Sequence, residues 1–322
     1  MLETDLARYL LALLEIKGVG PGAIKKNFAR IQASQSDTEV FDAMRPVIGA
    51  ADEADWKAAL SKAEQYLSRC AEVGIIAVTL GDPRYPSQLI ELSTPPAVLF
   101  CRGDLSLLAA PTLGVIGTRN TTPFGETVAG RVGRHFSERS VNLCNGLADG
   151  IDIRSVTHDG AFLPGVIGVM ACGLDILECN LTSKKTAERA GKLLGARGLL
   201  VSEFAPGAAE DQNSVIASCR LQAGMSHLLL LVQSRIDGGS RFTVGHFAKL
   251  PRKLAFIVPP EEQSSEAVFG ANLLLLEGKE GLARFVGLKT SKTMKADLLP
   301  LRSRDSYDDV MRSLVGENGF LI

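Results

Sequence analysis

Eight short, mostly apolar runs punctuate the chain: IIAVTL (75–80), AVLFC (97–101), TLGVIG (112–117), VNLCNG (141–146), VIGVMAC (166–172), GLLVSE (198–203), HLLLLVQ (227–233) and LAFIVPP (254–260). Amphipathic segments of helix length separate the last six. A strand that alternates apolar and polar residues buries one face, whereas one that is apolar throughout buries both. Runs of the second kind, alternating with helices, predict an α/β fold with an open, mainly parallel sheet and helices on both faces. Ligands of such sheets bind outside the carboxyl ends of the strands, so the residues that close each run matter most for function.

Residues 1–74 have a different texture and predict a small all-helical N-terminal domain. Leu6, Leu10, Leu13 and Leu14 recur at helical spacing, and segment 52–73 opens with acids and stops at Gly74. The sheet domain is expected over 75–287. EEQSSE (261–266) reads as a polar linker within it. Between Arg284 and Arg304 six basic residues face the single acid Asp297, so 288–322 reads as a basic linker closed by one short helix at DSYDDVMRSLV. That tract is either a solvated linker or a phosphate-seeking arm. With 322 residues, two or three domains and a sizeable core are within reach.

Composition narrows the function class. The net charge of −1 lacks the basic surplus frequent in nucleic-acid binders, though it leaves room for a local basic patch. Six scattered cysteines form no CxxC pair, so neither a disulfide framework nor a metal site is expected. The N-terminus carries acids rather than a basic n-region, and no apolar run is long enough to span a bilayer, so a cytoplasmic location is expected.

Three turns between run and helix are built from small residues. The first is Gly117-Thr118-Arg119, closing TLGVIG. The second is Asn145-Gly146-Leu147-Ala148-Asp149-Gly150-Ile151-Asp152, and the third is Asp237-Gly238-Gly239-Ser240, followed by Thr243. Free N–H groups and the dipole of a helix start receive anions, and arginine grips phosphate bidentately. Arg119 is therefore a candidate phosphate ligand, or else a surface arginine capping the sheet edge. Neither GxGxxG nor GxxxxGK[ST] is present, which excludes the dinucleotide fingerprint and the P-loop. Asp152 favours its helix dipole but repels phosphate. It either accepts from a base, a ribose or Arg119, or serves structure. Ser240 reads as an N-cap or as part of an anion site shared by the three turns. His158, placed on the helix after Asp152, and His227 and His246 have no adjacent nucleophile and read as packing residues.

IKGVGPGAI (Ile16–Ile24) places Gly18, Gly20 and Gly22 between two helical stretches, with Lys25 and Lys26 following. It resembles a helix-hairpin-helix, which grips DNA phosphate without reading sequence. A plain turn that needs glycines is the alternative.

The order of the motifs resembles the DprA/Smf family of DNA-processing proteins. Gly81-Asp82-Pro83-Arg84-Tyr85-Pro86, Pro95 to Phe100 with Arg102-Gly103-Asp104, Gly117-Thr118-Arg119 and Asn145 to Asp152 appear in family order. Gly173-Leu174-Asp175, Leu200 to Glu203, Ala223-Gly224-Met225-Ser226, Gly239-Ser240-x-x-Thr243, Val258-Pro259 and Gly270-x-Asn272-x-Leu274 continue it, so that the resemblance covers about residues 76–287. It implies a Rossmann-like homodimer without cofactor, metal or catalysis, which binds single-stranded DNA and hands it to a RecA-type recombinase. It assigns the DNA phosphates to Gly117, Thr118, Arg119, Asn145, Gly146, Ala148, Asp152, Arg220, Gly238, Gly239, Ser240 and Thr243, with Gly18, Gly20, Gly22, Lys25 and Lys26 as accessory contacts. Residues 288–322 are too short for the winged helix that often closes the family's chains.

The chain departs from the family where it has Phe-Pro-x-Arg-Asn-Arg. Here Val215-Ile216-Ala217-Ser218-Cys219-Arg220 keeps only the last arginine, after an acidic Glu210-Asp211. Gln233 stands for a glutamate, Glu178-Cys179 for Tyr-Pro, and two residues are inserted between Asp152 and His158. A second function class therefore stands beside the first: a nucleotide-binding protein or small nucleotide hydrolase, possible in phage conflict, with Asp152 or Glu203 as acid or base. A third is an interaction subunit with a vestigial pocket.

Overall fold

The computed structural model describes residues 3–263 and 266–315. Residues 264–265 of the expected polar linker and 316–322 of the expected C-terminal segment lie outside the described residues.

The sheet has nine strands in the order β1-β2-β8-β7-β4-β3-β9-β10-β11. The strands are β1 (Ile76–Thr79), β2 (Val98–Gly103), β3 (Thr112–Ile116), β4 (Asn142–Asn145), β7 (Val166–Val169), β8 (Leu199–Ser202), β9 (Leu228–Leu231), β10 (Lys253–Ile257) and β11 (Asp297–Leu301). A two-stranded hairpin, β5 (Thr157–His158) with β6 (Ala161–Phe162), lies apart. From β8 to β11 every pairing is parallel, while β1–β2 and β2–β8 are antiparallel. All eight apolar runs are strands of this sheet. Their side chains divide between its faces with the period of two that strands impose. On β9, Leu228 and Leu230 enter one core and Leu229 and Leu231 the other.

The two cores put helices on both faces. The first holds α1 (Glu3–Glu15), α2 (Pro21–Ala33), α3 (Asp37–Met44), α4 (Glu53–Val73), α5 (Pro123–Ser137), α6 (Ile151–Val156), α7 (Lys184–Gly195) and α12 (Ser306–Val315). The second holds α8 (Gln212–Met225), α9 (Ser240–Phe247), α10 (Gly270–Leu275) and α11 (Lys279–Phe285). The N-terminal region is helical, with α4 started by an Asp52 capping box and stopped by Gly74 at φ +71°. Leu10, Leu13, Trp56 and Ala63 nevertheless join the cluster that covers the sheet, so these helices share a core with it.

Two expectations are corrected. Residues 288–322 are not simply linker and helix. Asp297–Leu301 extends the sheet beside β10, and α12 buries Tyr307, Val310 and Leu314 in the first core. The basic tract therefore supplies an edge strand, whose Pro300 is tolerated because an edge strand needs fewer ladder donors. His158 is not on a helix: α6 ends at Val156, and His158 lies on β5 beside Arg134 (3.0 Å). Among the described residues, no helix is long and apolar enough to cross a membrane.

Candidate nucleic-acid interface

The turns after β3 and β4 are packed backbone to backbone. Gly117 has no space for a side chain, because a Cβ there would lie 2.6 Å from Ile151 and 2.8 Å from the Gln233 carbonyl. Gly150, at φ +79°, would set a Cβ 2.3 Å from the Thr118 carbonyl. Thr118 N–H donates to the Gln233 carbonyl (2.7 Å), and Ile151 N–H donates to the Thr118 carbonyl (3.1 Å). Gln233, fully buried, holds the start of α5 as well: Thr122 N–H donates to Oε1 (3.2 Å), and Nε2 donates to Thr122 Oγ1 (3.0 Å). An amide both donates and accepts here, which a carboxylate at this position would not do.

Asp152 lies buried behind this junction, 7% exposed. Burial pushes its carboxyl up to about 7, against the opposing pull of the N–H groups of Ala148, Gly146 and Gly117 and of the charge on Arg119. It sits under the turns and spends their donors internally. Arg119 is exposed, and among the described residues it makes no ion pair or hydrogen bond.

The third turn completes one cleft of about 1030 Å³ at the carboxyl edge of the sheet. Gly117, Thr118, Arg119, Gly146, Ala148, Asp152, Gly238, Gly239, Ser240 and Thr243 all line it. Gly239, rather than Ser240, is the N-cap of α9 and offers no side-chain cap. Ser240 Oγ instead bonds to Ser234 Oγ (2.6 Å). Of the acids that line the cleft, Asp211 caps α8 through Ser214 N–H (2.6 Å), and Glu210 accepts from Thr182 Oγ1 (2.9 Å). Glu210-Asp211 therefore has a structural use.

Two predicted ligands are elsewhere. Asn145 is fully buried: its Nδ2 donates to the Val115 and Asp152 carbonyls and Ser155 Oγ, and its Oδ1 accepts from Leu147 N–H. It pins the second turn to the sheet. Arg220 turns away to the Thr94 carbonyl and both oxygens of Glu203. The same pair removes Glu203 as an acid or base of the cleft, although burial pushes its carboxyl up. The N-terminal hairpin does not line the cleft either. Gly18 makes its turn at φ +89°, Gly20 starts α2, and a Cβ on Gly22 would crowd Thr94 at 3.2 Å. Lys25 Nζ caps the carbonyls of Ile90 (2.8 Å) and Leu92 (3.1 Å), while Lys26 is exposed. His227 is structural: Thr112 N–H donates to its Nδ1 (3.1 Å), and burial lowers the ring to about 4.

The cleft also contains groups that the motifs did not reveal. Lys185 and Arg189, one turn apart on α7, converge on Asp149 (2.7 Å for Lys185), and Arg189 also donates to the Leu147 carbonyl (2.8 Å). Their spacing, after the N-cap Ser183, was the available signal. Arg241 and Phe242 enter from α9. Arg119 lines the same cleft.

The doubly covered, mainly parallel sheet, with small-residue turns at its carboxyl edge, defines a Rossmann-like α/β protein. The family model for DNA recombination-mediator protein A matches residues 76–290, and the chain belongs to that family. DNA processing protein DprA of Bacillus subtilis is 28% identical over 199 residues, which is 62% of this chain and 65% of the relative. Protein Smf of Synechocystis is 25% identical over 279 residues, 83% of this chain and 68% of the relative. Among solved structures, DprA from Streptococcus pneumoniae superposes with a TM-score of 0.69 at 20% identity, covering 94% of this chain and 97% of that one. DNA processing protein A from Helicobacter pylori, solved with regard to its single-stranded DNA binding mode, gives 0.59 at 20% identity, covering 74% and 97%. At such identity these two likenesses establish the fold.

Proposed function

We propose that this protein binds single-stranded DNA in the carboxyl-edge cleft and acts as a recombination mediator, delivering the strand to a RecA-type recombinase. The observation that carries the reading is Arg119: an exposed guanidinium without an ion pair among the described residues, on a packed turn at the sheet edge where three small-residue turns converge. Family membership supplies the class of ligand. Phosphates pass over Arg119 and the uncapped start of α9 at Gly239 and Ser240, and Lys26 on the N-terminal hairpin offers a further contact. The protein works as a homodimer in the cytoplasm and needs no cofactor, metal or catalytic group. Titration with labelled oligo-dT, followed by recombinase filament assembly on that strand with and without the protein, tests both halves of the reading.

One observation favours a free nucleotide as a second reading. Asp149 neutralises Lys185 and Arg189, leaving Arg119 and Arg241 as the cleft's cations with no carboxylate in salt-bridge contact among the described residues. Two cations suit a short phosphate ligand. A nucleotide that raises the melting temperature while oligo-dT fails to bind would select this alternative.

A further inference from the structure

Among the described residues that line the cleft, Phe242 is the only one with an aromatic side chain. It stands in the first turn of α9, half-buried, with its N–H tied to the Gly239 carbonyl (3.1 Å). The guanidinium of Arg241 lies over its ring at 4.9 Å from the centroid, and Arg241 Nη1 is held by the Asp237 carbonyl (3.4 Å). The neighbouring helix α8 faces the cleft with Gln212, Val215, Ile216, Ser218, Cys219 and Gln222, none of them aromatic or charged. Aromatic and cationic character is therefore concentrated on α9 on this side of the cleft.

A single strand differs from a phosphate ion in having exposed bases, and bases stack on aromatic rings whatever their sequence. A phenyl ring already covered on one side by a guanidinium is an ordered platform for such a stack, with less side-chain freedom to lose. Gly239, immediately before α9, leaves the backbone open, since a Cβ there would meet nothing within 4 Å, whereas Gly238 is packed, with a Cβ lying 2.7 Å from Ser234 Oγ. Phosphate and base can therefore approach the same turn together. We infer that Phe242, backed by Arg241, is the base-stacking platform of the cleft, and that an unpaired nucleobase packs on its ring. The inference rests on the single-strand reading above and adds the base to it.

The test uses a labelled single strand carrying 2-aminopurine, whose fluorescence is quenched by stacking, beside an abasic strand of equal length. Phe242→Leu keeps the apolar bulk and removes the ring, whereas Phe242→Trp keeps a larger ring. The wild type should quench the 2-aminopurine. Phe242→Leu should bind the base-bearing strand about tenfold more weakly, Phe242→Trp should recover the affinity, and the abasic strand should bind wild type and Phe242→Leu alike. If Phe242→Leu does not fold, quenching by the wild type and its persistence in Phe242→Trp decide the matter. Equal affinities and unchanged quenching in a folded Phe242→Leu overturn the platform while the single-strand reading stands. No binding of either strand by the wild type overturns both.

Discussion

Arg220 closes onto Glu203: Nη2 donates to both carboxylate oxygens, at 2.6 Å to Oε2, and Nη1 reaches the Thr94 carbonyl. Both side chains are largely buried, at 19% and 15% exposure. Removing one member of such a pair leaves the other charge uncompensated, which costs more than the pair itself contributes. Arg220→Ala is therefore expected to lower stability by about 3–5 kcal/mol and to leave strand affinity unchanged. Urea unfolding and anisotropy titration on the same sample check both.

Asp152 gives the protein a pH dependence of definite sign. Its carboxyl titrates at about 7 in the fold against an ordinary 3.8, so the folded state holds a proton that the unfolded chain has already lost. Stability from this group is full below 3.8 and is lost as pH rises through about 7. Asp152→Asn should stabilise the protein above pH 7 by up to about 4 kcal/mol, with the gain vanishing toward pH 3.8. Strand affinity of the wild type should rise as pH falls through about 7, because a charge beside Arg119 disappears, and Asp152→Asn should flatten that step. Unfolding and titration series across pH read both effects.

Gly150 has a positive φ and presses on the Thr118 carbonyl, a backbone atom that cannot swing aside. Gly150→Ala should therefore cost at least about 1–3 kcal/mol of strain and separate the first two turns. Thermal melting should show the loss, and strand affinity should fall with it.

Deleting the chain from residue 297 onward should expose β10 as a sheet edge and uncover the part of the first core that Leu301, Tyr307, Val310 and Leu314 seal. Unpaired apolar edges associate. Size-exclusion chromatography should show aggregation of the truncated chain at concentrations where the full chain does not aggregate.

The strands were legible because burial on both faces leaves an unbroken apolar run, as in LLLL of β9. β11 was not, because an edge strand with an exposed Asp297 and Pro300 has no such pattern, and the lysines that precede it (Lys289, Lys292, Lys295) read as linker or phosphate-seeking arm. At the site, the three small-residue turns were legible since close backbone approach demands glycine at 117 and 150. Arg220 was misread because its partner Glu203 sits on another element, at the end of β8, and nothing local signals that pairing. Asn145 was misread for a similar reason. A polar residue at a strand's carboxyl end serves a ligand or the turn equally well, and here Val115, Asp152 and Ser155 use it up. Phe242 was hidden because periodicity does not say which side of a short helix faces a cleft.

The central claim is that DNA phosphate lies over Arg119. Anisotropy titration of a labelled single strand over a series of salt concentrations, with wild type and Arg119→Ala, tests it most directly. The account predicts steeply salt-dependent binding by the wild type. Arg119→Ala should bind more weakly to every sequence and show a log–log salt slope shallower by about 0.7, the loss of one phosphate contact. Wild-type binding that ignores salt, or an Arg119→Ala variant with unchanged affinity and slope, would contradict it.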